Sequence, residues 1–485
     1  MLKKLAKDMA IYGAGDFAFR FLGFAVFPIY THLFSVDQFG IMELVTTFAG
    51  IVSILLSLGV TNAVQRFYWD PKFPEEKRPG LVSSSLYLLV VWSVLFTAGA
   101  LLTAYLLRGR IKESYGILWG FIFFSLTGNI PIQILQYCLD TLRLRFAPWK
   151  FMLLSGWRNL SGVALGLLFI LVLEMGLWGF FLGNFLAPAV SIPLGCWLIR
   201  KDLKWGFDRE VAKEVVLFGY PFIFAGLAYW FFGSLDRWML GTLADNTQVG
   251  LFSIAFKFAS LLVFVNFAFG QAWSPFAMKT YADRLDYKVV FSRILSYLFF
   301  GLSLIGAGLT IFAKELLRLL TPEPYWPAAT ITGFLAMGMV LQGTTQITAL
   351  GISLERRTRL LSAAAWLTAV VNFVLNYLLI PKWGALGSGV AIFFSYAVLT
   401  GLYLYWTQRL HPIPLEVKKL IFSLCIIISA LAFSSHINSV QWSVKILLYK
   451  LLFFGILLVF GFVTEIERGQ NSRRLYAWSI SRLTK

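Results

Sequence analysis

Charge, cysteine and histidine are what this chain has least of. Only 14% of its 485 residues are charged, where a soluble chain has roughly a quarter. That shortage, with 58% hydrophobic residues and a mean hydropathy of +0.74, excludes both a disordered chain and an ordinary soluble enzyme. The three cysteines, Cys138, Cys196 and Cys425, are far apart in sequence and make neither a metal pattern nor a disulfide framework. His32, His411 and His436 each stand alone, so no histidine-based metal site is expected. No Gly-x-x-x-x-Gly-Lys-Ser/Thr loop occurs, which excludes ATP hydrolysis by that route. No cofactor is expected.

Long apolar runs recur from end to end. At about 20 to 25 residues per span, the length allows roughly 12 to 16 helices. Fourteen runs are legible, at approximately 10–33, 41–67, 80–106, 116–140, 148–173, 177–199, 214–240, 250–275, 290–312, 327–350, 360–380, 385–407, 417–436 and 442–463. The first run contains Asp16 and Arg20 and lacks a small-residue cleavage site, so it reads as a retained helix. The fold expected is an all-α polytopic membrane protein.

The net charge of +18 would suggest nucleic acid in a soluble protein. Here the cations crowd short loops, which suggests orientation signals and anionic headgroups, with no nucleic acid. With the spans alternating from a cytoplasmic N-terminus, 29 of the 42 Lys and Arg fall in cytoplasmic segments. Seven (Arg108, Arg110, Lys112, Lys314, Arg318, Lys382 and Lys445) fall opposite, and six lie inside spans. That asymmetry supports both termini in the cytoplasm.

The two halves resemble each other. Phe39-Gly40 matches Val249-Gly250, an offset of 210, and Gly176-x-x-Gly179 matches Gly384-x-x-Gly387, an offset of 208. Ile11-Tyr12-Gly13 matches Leu217-Phe218-Gly219, and the second span closes at Phe67 as the eighth does at Phe276. A near-constant offset suggests a duplicated six-helix unit, and an even helix number makes the copies parallel. The expected division is a lobe over 1–205, a second over 206–410, two further spans over 411–464 and a basic tail over 465–485.

Three stretches carry a family likeness. One runs from Tyr12-Gly13 through Pro28-Ile29-Tyr30 and Phe39-Gly40 to Leu58-Gly59-Val60 and Arg66-Phe67. The second is Ser234-Leu235-Asp236-Arg237 followed by the stretch from Val249-Gly250 to Lys257. The third is Asn372-x-x-x-Asn376-x-x-Leu379-Ile380-Pro381-x-x-Gly384-Ala385-x-Gly387, after the basic Arg356-Arg357-Thr358-Arg359 loop. Together they resemble the Wzx-like polysaccharide-biosynthesis flippases of the multidrug/oligosaccharidyl-lipid/polysaccharide exporter superfamily. The resemblance implies movement of undecaprenyl-diphosphate-linked sugar repeats from the cytoplasmic to the outer leaflet of the inner membrane. It also implies a pair of six-helix lobes working by alternating access; polysaccharide polymerase machinery is a candidate partner that the sequence does not mark.

Charge at span depth is a functional lead. For a lipid diphosphate the candidates are the cations Arg20, Arg158, Lys257, Arg237 and Arg66, since Arg suits phosphate through its fork and Lys as a point charge. For coupling or gating they are Asp16, Asp236 and Glu43. A proton or sodium gradient acting on these acids and simple downhill exchange both remain open. Gln133, Gln136, Asn184, Gln342, Gln346, Asn372 and Asn376 suit either a sugar-compatible cavity or interhelical hydrogen bonds. The alternatives are a peptidoglycan-precursor flippase, a cation-coupled drug exporter and, least favoured because the outer loops are short, a membrane glycan ligase or polymerase.

Overall fold

A computed structural model describes residues 24–70, 73–355, 357–437 and 443–459. Asp16, Arg20, the Ile11-Tyr12-Gly13 stretch and the basic tail lie outside the described residues. Among those described the chain is helical, without strands. In order, the helices are α1 (Phe24–Leu33), α2 (Val36–Ser57), α3 (Val60–Phe67), α4 (Arg78–Leu106), α5 (Arg108–Tyr115), α6 (Trp119–Leu144), α7 (Pro148–Leu167) and α8 (Leu177–Ile199). They continue with α9 (Arg209–Leu243), α10 (Asn246–Ala259), α11 (Leu261–Asp283), α12 (Tyr287–Ile311), α13 (Ala313–Leu320), α14 (Ala328–Thr348) and α15 (Leu350–Leu354). The last are α16 (Thr358–Trp383), α17 (Ala385–Leu410), α18 (Val417–Ile437) and α19, residues 444–459. Ten are long and apolar enough to span a bilayer, or up to eleven if α10 and α11, bent by 41°, count as one. The chain is a multi-pass membrane protein.

It separates into two compact units, 1–253 and 254–485. In the first, α6 is central and packs on α8, α4, α2 and α7. In the second, α14 is central, with 78% of its apolar window buried, and packs on α17, α12, α11 and α18. α9, which the repeat places in the second half of the sequence, packs on α2, α3 and α4 in the first unit.

Local chemistry sets the helix ends. Ser35 caps α2, and Gln38 closes the capping box: Gln38 N donates to Ser35 Oγ and Ser35 N to Gln38 Oε1, at 3.2 and 3.0 Å. Asp245 does the same for α10, accepting from Gln248 N at 2.8 Å, and sits 210 residues later. The expected continuous span 41–67 is broken. Leu58 and Gly59 are both left-handed (φ 46° and 64°), so α2 stops and α3 starts afresh. The Phe67 and Phe276 equivalence is looser than the others, because α11 runs on to Asp283.

The duplication has structural counterparts. Gly176 and Gly384, opening α8 and α17, share one conformation, φ 54° with ψ −132° and −133°. Gly179 and Gly387 then lie against the backbones of Phe169 and Leu379. Gln133 of α6 donates to the Ser53 carbonyl of α2, and Gln346 of α14 to the Asn266 carbonyl of α11, each across 80 residues at 2.8 Å. At Gly176 nothing lies within 4 Å of where a Cβ would stand, so Gly176→Ala pays only for the backbone. A loss of about 1–3 kcal/mol is expected, read as a lower unfolding midpoint of the detergent-solubilised protein.

Two features were invisible along the sequence. Cys138 of α6 lies against Gly195 of α8, next to Cys196, and both thiols are free. Buried His411 is held from both sides, with Nδ1 3.0 Å from Glu355 Oε1 and Nε2 3.0 Å from the Tyr287 hydroxyl. A carboxylate can only accept, so Nδ1 carries the proton in its bond to Glu355. The trio ties the ends of α12, α15 and α17.

Candidate functional site

The first unit carries a glycine seam. α2 and α9 run antiparallel, and small residues recur where they touch. A Cβ on Gly219 would stand 2.5 Å from the Leu58 carbonyl, one on Gly226 2.9 Å from Ile54 Cγ2, and one on Gly241 2.8 Å from Leu44 Cδ2. Between them the Trp230 indole donates to the Thr47 carbonyl at 3.1 Å, made possible by Gly50 opposite its ring. At the α2 N-terminus the packing is reciprocal. A Cβ on Gly40 would overlap the Asn246 carbonyl, and one on Gly250 would overlap that of Val36. The two glycines are 210 residues apart and so are the two carbonyl residues, so the contact joins positions that the sequence offset equates. Small residues that let backbones approach are how apolar helices associate without a hydrophobic driving force.

One ion pair interrupts the seam. Arg237 Nε lies 3.3 Å from Glu43 Oε2, with the side chains 12% and 19% exposed. The same guanidinium donates to Ser253 Oγ and to the Gly233 carbonyl, both at 3.2 Å, and lies 5.6 Å from the Phe252 ring centroid. Two of the sequence candidates, one assigned to phosphate and one to coupling, are therefore partners. They tie α2, α9 and α10 together. The neighbouring Asp236 is buried, at 4% exposure.

The other cations are dispersed. Arg66 ends α3 with its side chain 61% exposed and pairs with Asp70 at 3.5 Å; such surface pairs contribute about 0–1 kcal/mol. Arg158 is half-buried on α7. It shares a face with Gly162 and Gly166, which lie against Ala187 of α8 and Tyr30 of α1. The exposed stripe of α7, Trp149, Leu153, Trp157 and Leu160, points elsewhere. Among the described residues no carboxylate pairs with Arg158 and no acceptor bonds its guanidinium. Lys257 is half-buried one turn before the bend at Ser260, whose hydroxyl bonds the Lys257 carbonyl at 2.6 Å.

The second unit holds a cavity of about 370 Å³ between α11 and α14. Asn266, Gln342, Thr345 and Gln346 line it with Val263 and Phe267, and none of its described lining residues is charged. Gly343 and Gly270 make room for the carboxamides of Asn266 and Gln346. Asn266 is 6% exposed and donates to the Met339 carbonyl at 2.9 Å, while its own side-chain oxygen is buried without a donor. The sequence reading singled out Gln342 and Gln346 but missed Asn266. Its signal was spacing: it precedes Gln346 by 80 residues, as Ser53 precedes Gln133. The other neutral candidates serve packing. Gln133 bonds Ser53, Gln136 bonds Asp140, Asn184 bonds its own helix, and Asn376 bonds Asn372. A further cavity of about 470 Å³ in the first unit is lined by Lys77 and Lys204 but also by Glu76, Asp208, Glu210 and Glu214, which disfavours an anion there.

Comparison with known proteins places this geometry. The family model "Polysaccharide biosynthesis protein" matches residues 5–281, and the MatE model matches 221–378. The probable low-salt glycan biosynthesis flippase Agl15 of Haloferax volcanii is 21% identical over 417 residues, 84% of each chain. Among solved structures, the lipid II flippase MurJ in an inward closed conformation superposes with a TM-score of 0.62 at 14% identity, covering 91% of this chain and 100% of that one. An inward-facing multidrug-resistance MATE transporter gives 0.60 at 14% identity, covering 84% and 97%. At such identities the structural likeness concerns the fold.

Proposed function

Because the chain belongs to the polysaccharide biosynthesis protein family, we propose that it is a flippase for lipid-linked oligosaccharides, and not an enzyme. The observation that carries this reading is the uncharged, carboxamide-lined cavity of the second unit. Its volume falls within the roughly 300–1,000 Å³ of small-molecule pockets. Carboxamides both donate and accept, which suits sugar hydroxyls, whereas a carrier of cationic drugs calls for acidic groups. Arg158 is the described cation best suited to the lipid's phosphate, being at span depth with no acid beside it among the described residues. The names of Agl15 and MurJ, both flippases, support the same reading.

In this reading the lobes are 1–205 and 206–410, with 411–464 as an appendage and 465–485 as a cytoplasmic tail. The protein sits in the cytoplasmic membrane with both termini inside. Undecaprenyl diphosphate is the carrier, and a polysaccharide polymerase consumes the product. The α2–α9 seam is the gate, with Glu43 and Arg237 as its polar latch. Lys257 and Arg66 are further candidates for the phosphate and Asp236 for coupling; Arg20 and Asp16, outside the described residues, are kept as candidates on sequence alone. Proton or sodium coupling and downhill exchange are both compatible with this arrangement.

The test is reconstitution. Purified protein in proteoliposomes with an undecaprenyl-diphosphate oligosaccharide is expected to expose the sugar to an added, membrane-impermeant glycosidase over time. Arg158→Ala, and Asn266→Ala with Gln342→Ala, are expected to slow exposure about tenfold or more, the loss of one or two charge-assisted or buried hydrogen bonds. Unchanged rates in both variants would discard these sites. No sugar movement, alongside export of a cationic dye, would replace the reading with a drug exporter.

A further inference from the structure

The cavity of about 470 Å³ in the first unit disfavours a lone anion but has what a zwitterion needs. It lies between the turn that starts α4 and the turn that starts α9. The 203–208 connection walls it, and two buried hydroxyls of α4 pin that connection. Lys204 N donates to Ser83 Oγ at 2.7 Å, and Asp208 N to Ser84 Oγ at 2.9 Å. Phe73, Leu81 and Val211 make an apolar floor that belongs to the packed core around Val60, Val64 and Val215.

The rim carries both signs of charge. Glu76, Asp208, Glu210 and Glu214 face Lys77 and Lys204, an excess of carboxylate in a chain whose net charge is +18. Two of the acids serve the fold. Asp208 Oδ1 caps α9 by accepting from Glu210 N and Val211 N, at 2.9 and 3.2 Å. Glu210 stands in the first turn, where an acid suits the helix dipole. Glu76 and Glu214 have no such use. Among the described residues neither makes an ion pair or a side-chain hydrogen bond, and the same is true of Lys77 and Lys204. Carboxylates only accept and ammonium groups only donate. Such a rim matches a ligand that carries an N–H cation and an oxyanion together.

The surroundings say where that ligand resides. Trp205 and Phe207, on the same connection, are exposed, Trp205 at 94%, and aromatic residues of this kind sit at headgroup level. Along α9, Glu214 shares a face with Leu217, Pro221 and Phe224, all exposed. An apolar stripe therefore leads away from the acid along the helix, on the side opposite Gly219 and the seam.

We propose that this cavity binds the headgroup of a phospholipid that bears a primary amine. The lipid's ammonium donates to Glu76 and Glu214, its phosphate accepts from Lys77 and Lys204, and an acyl chain follows the stripe of α9. The site stands on its own residues and does not depend on the transport reading.

Native mass spectrometry of the full-length protein released from detergent tests it, with phosphatidylethanolamine and phosphatidylcholine of the same chains. The two lipids share phosphate and net charge, but the choline nitrogen has no N–H to donate. Phosphatidylethanolamine is expected to bind about tenfold more tightly, the worth of one charge-assisted hydrogen bond. The N-monomethyl and N,N-dimethyl lipids should fall in between. Glu76→Gln with Glu214→Gln is expected to remove the preference. Lys77→Gln with Lys204→Gln is expected to weaken both lipids by a similar factor and keep the preference. Glu113→Gln, on exposed α5, should change neither. Equal binding of the two lipids by wild type overturns the proposal. So does a Glu76→Gln, Glu214→Gln variant that unfolds at the wild-type temperature and keeps the preference. Equal lipid binding together with a lysine-rich peptide held through Glu76 and Glu214 would replace the lipid with a basic polypeptide.

Discussion

Gly250→Val, and separately Gly40→Val, is expected to cost the protein about 3 kcal/mol or more, enough to reduce or abolish recovery of folded material. The added Cβ of either would overlap a carbonyl of the opposite helix, and a carbonyl in a helix cannot rotate away. The only relief is separation of the α2 and α10 N-termini, which would break contact along the seam. The comparison is Gly99→Val and Gly301→Val, where nothing lies within 4 Å of the new atom. These should cost about 0.5 kcal/mol or less, as exposed substitutions do. Thermal unfolding in detergent reads the difference. If all four variants melt alike, the reciprocal packing is not what holds these helices.

Separating Glu43 from Arg237 should have the next largest effect. Their side chains are mostly buried, and removing either partner leaves a charge without its counter-ion. Arg237→Glu, which also sets two carboxylates together, is expected to cost about 3–5 kcal/mol. The exchange Glu43→Arg with Arg237→Glu should recover part of that, because the pair is restored while the bonds to Ser253 and Gly233 are not. A double-mutant cycle should give a coupling of about 0.5–3 kcal/mol. Strict additivity would mean that the two charges do not feel each other.

Much of this fold is legible in the sequence because span identity is a matter of apolar length. The runs at 80–106, 177–199 and 385–407 lie within a few residues of α4, α8 and α17. The repeat was legible at glycines, since only glycine tolerates the conformation shared by Gly176 and Gly384. The break at Leu58–Gly59 was not, because a left-handed pair inside an apolar run is dictated by its neighbour, Gly219, and not by local preference. The charges at span depth were legible as types and hidden as partners. Nothing in the sequence pairs Glu43 with Arg237 across nearly two hundred residues. Lys450, one of six intramembrane cations by count, was not singled out, because its partner Glu315 belongs to a short helix that the hydropathy pattern left as a loop. Asn266 was missed as one polar residue among apolar ones.

If a lipid-linked glycan crosses by opening of the α2–α9 seam, a reversible lock across that seam must stop it. Cysteines replace Gly50 and Trp230, which face each other across the seam, in a chain whose Cys138, Cys196 and Cys425 are changed to alanine. A short, reducible bifunctional thiol reagent bridges them in proteoliposomes carrying the oligosaccharide lipid. Exposure of the sugar to glycosidase is expected to stop on cross-linking and to resume on reduction. Exposure at the unlinked rate in fully cross-linked protein would contradict the claim.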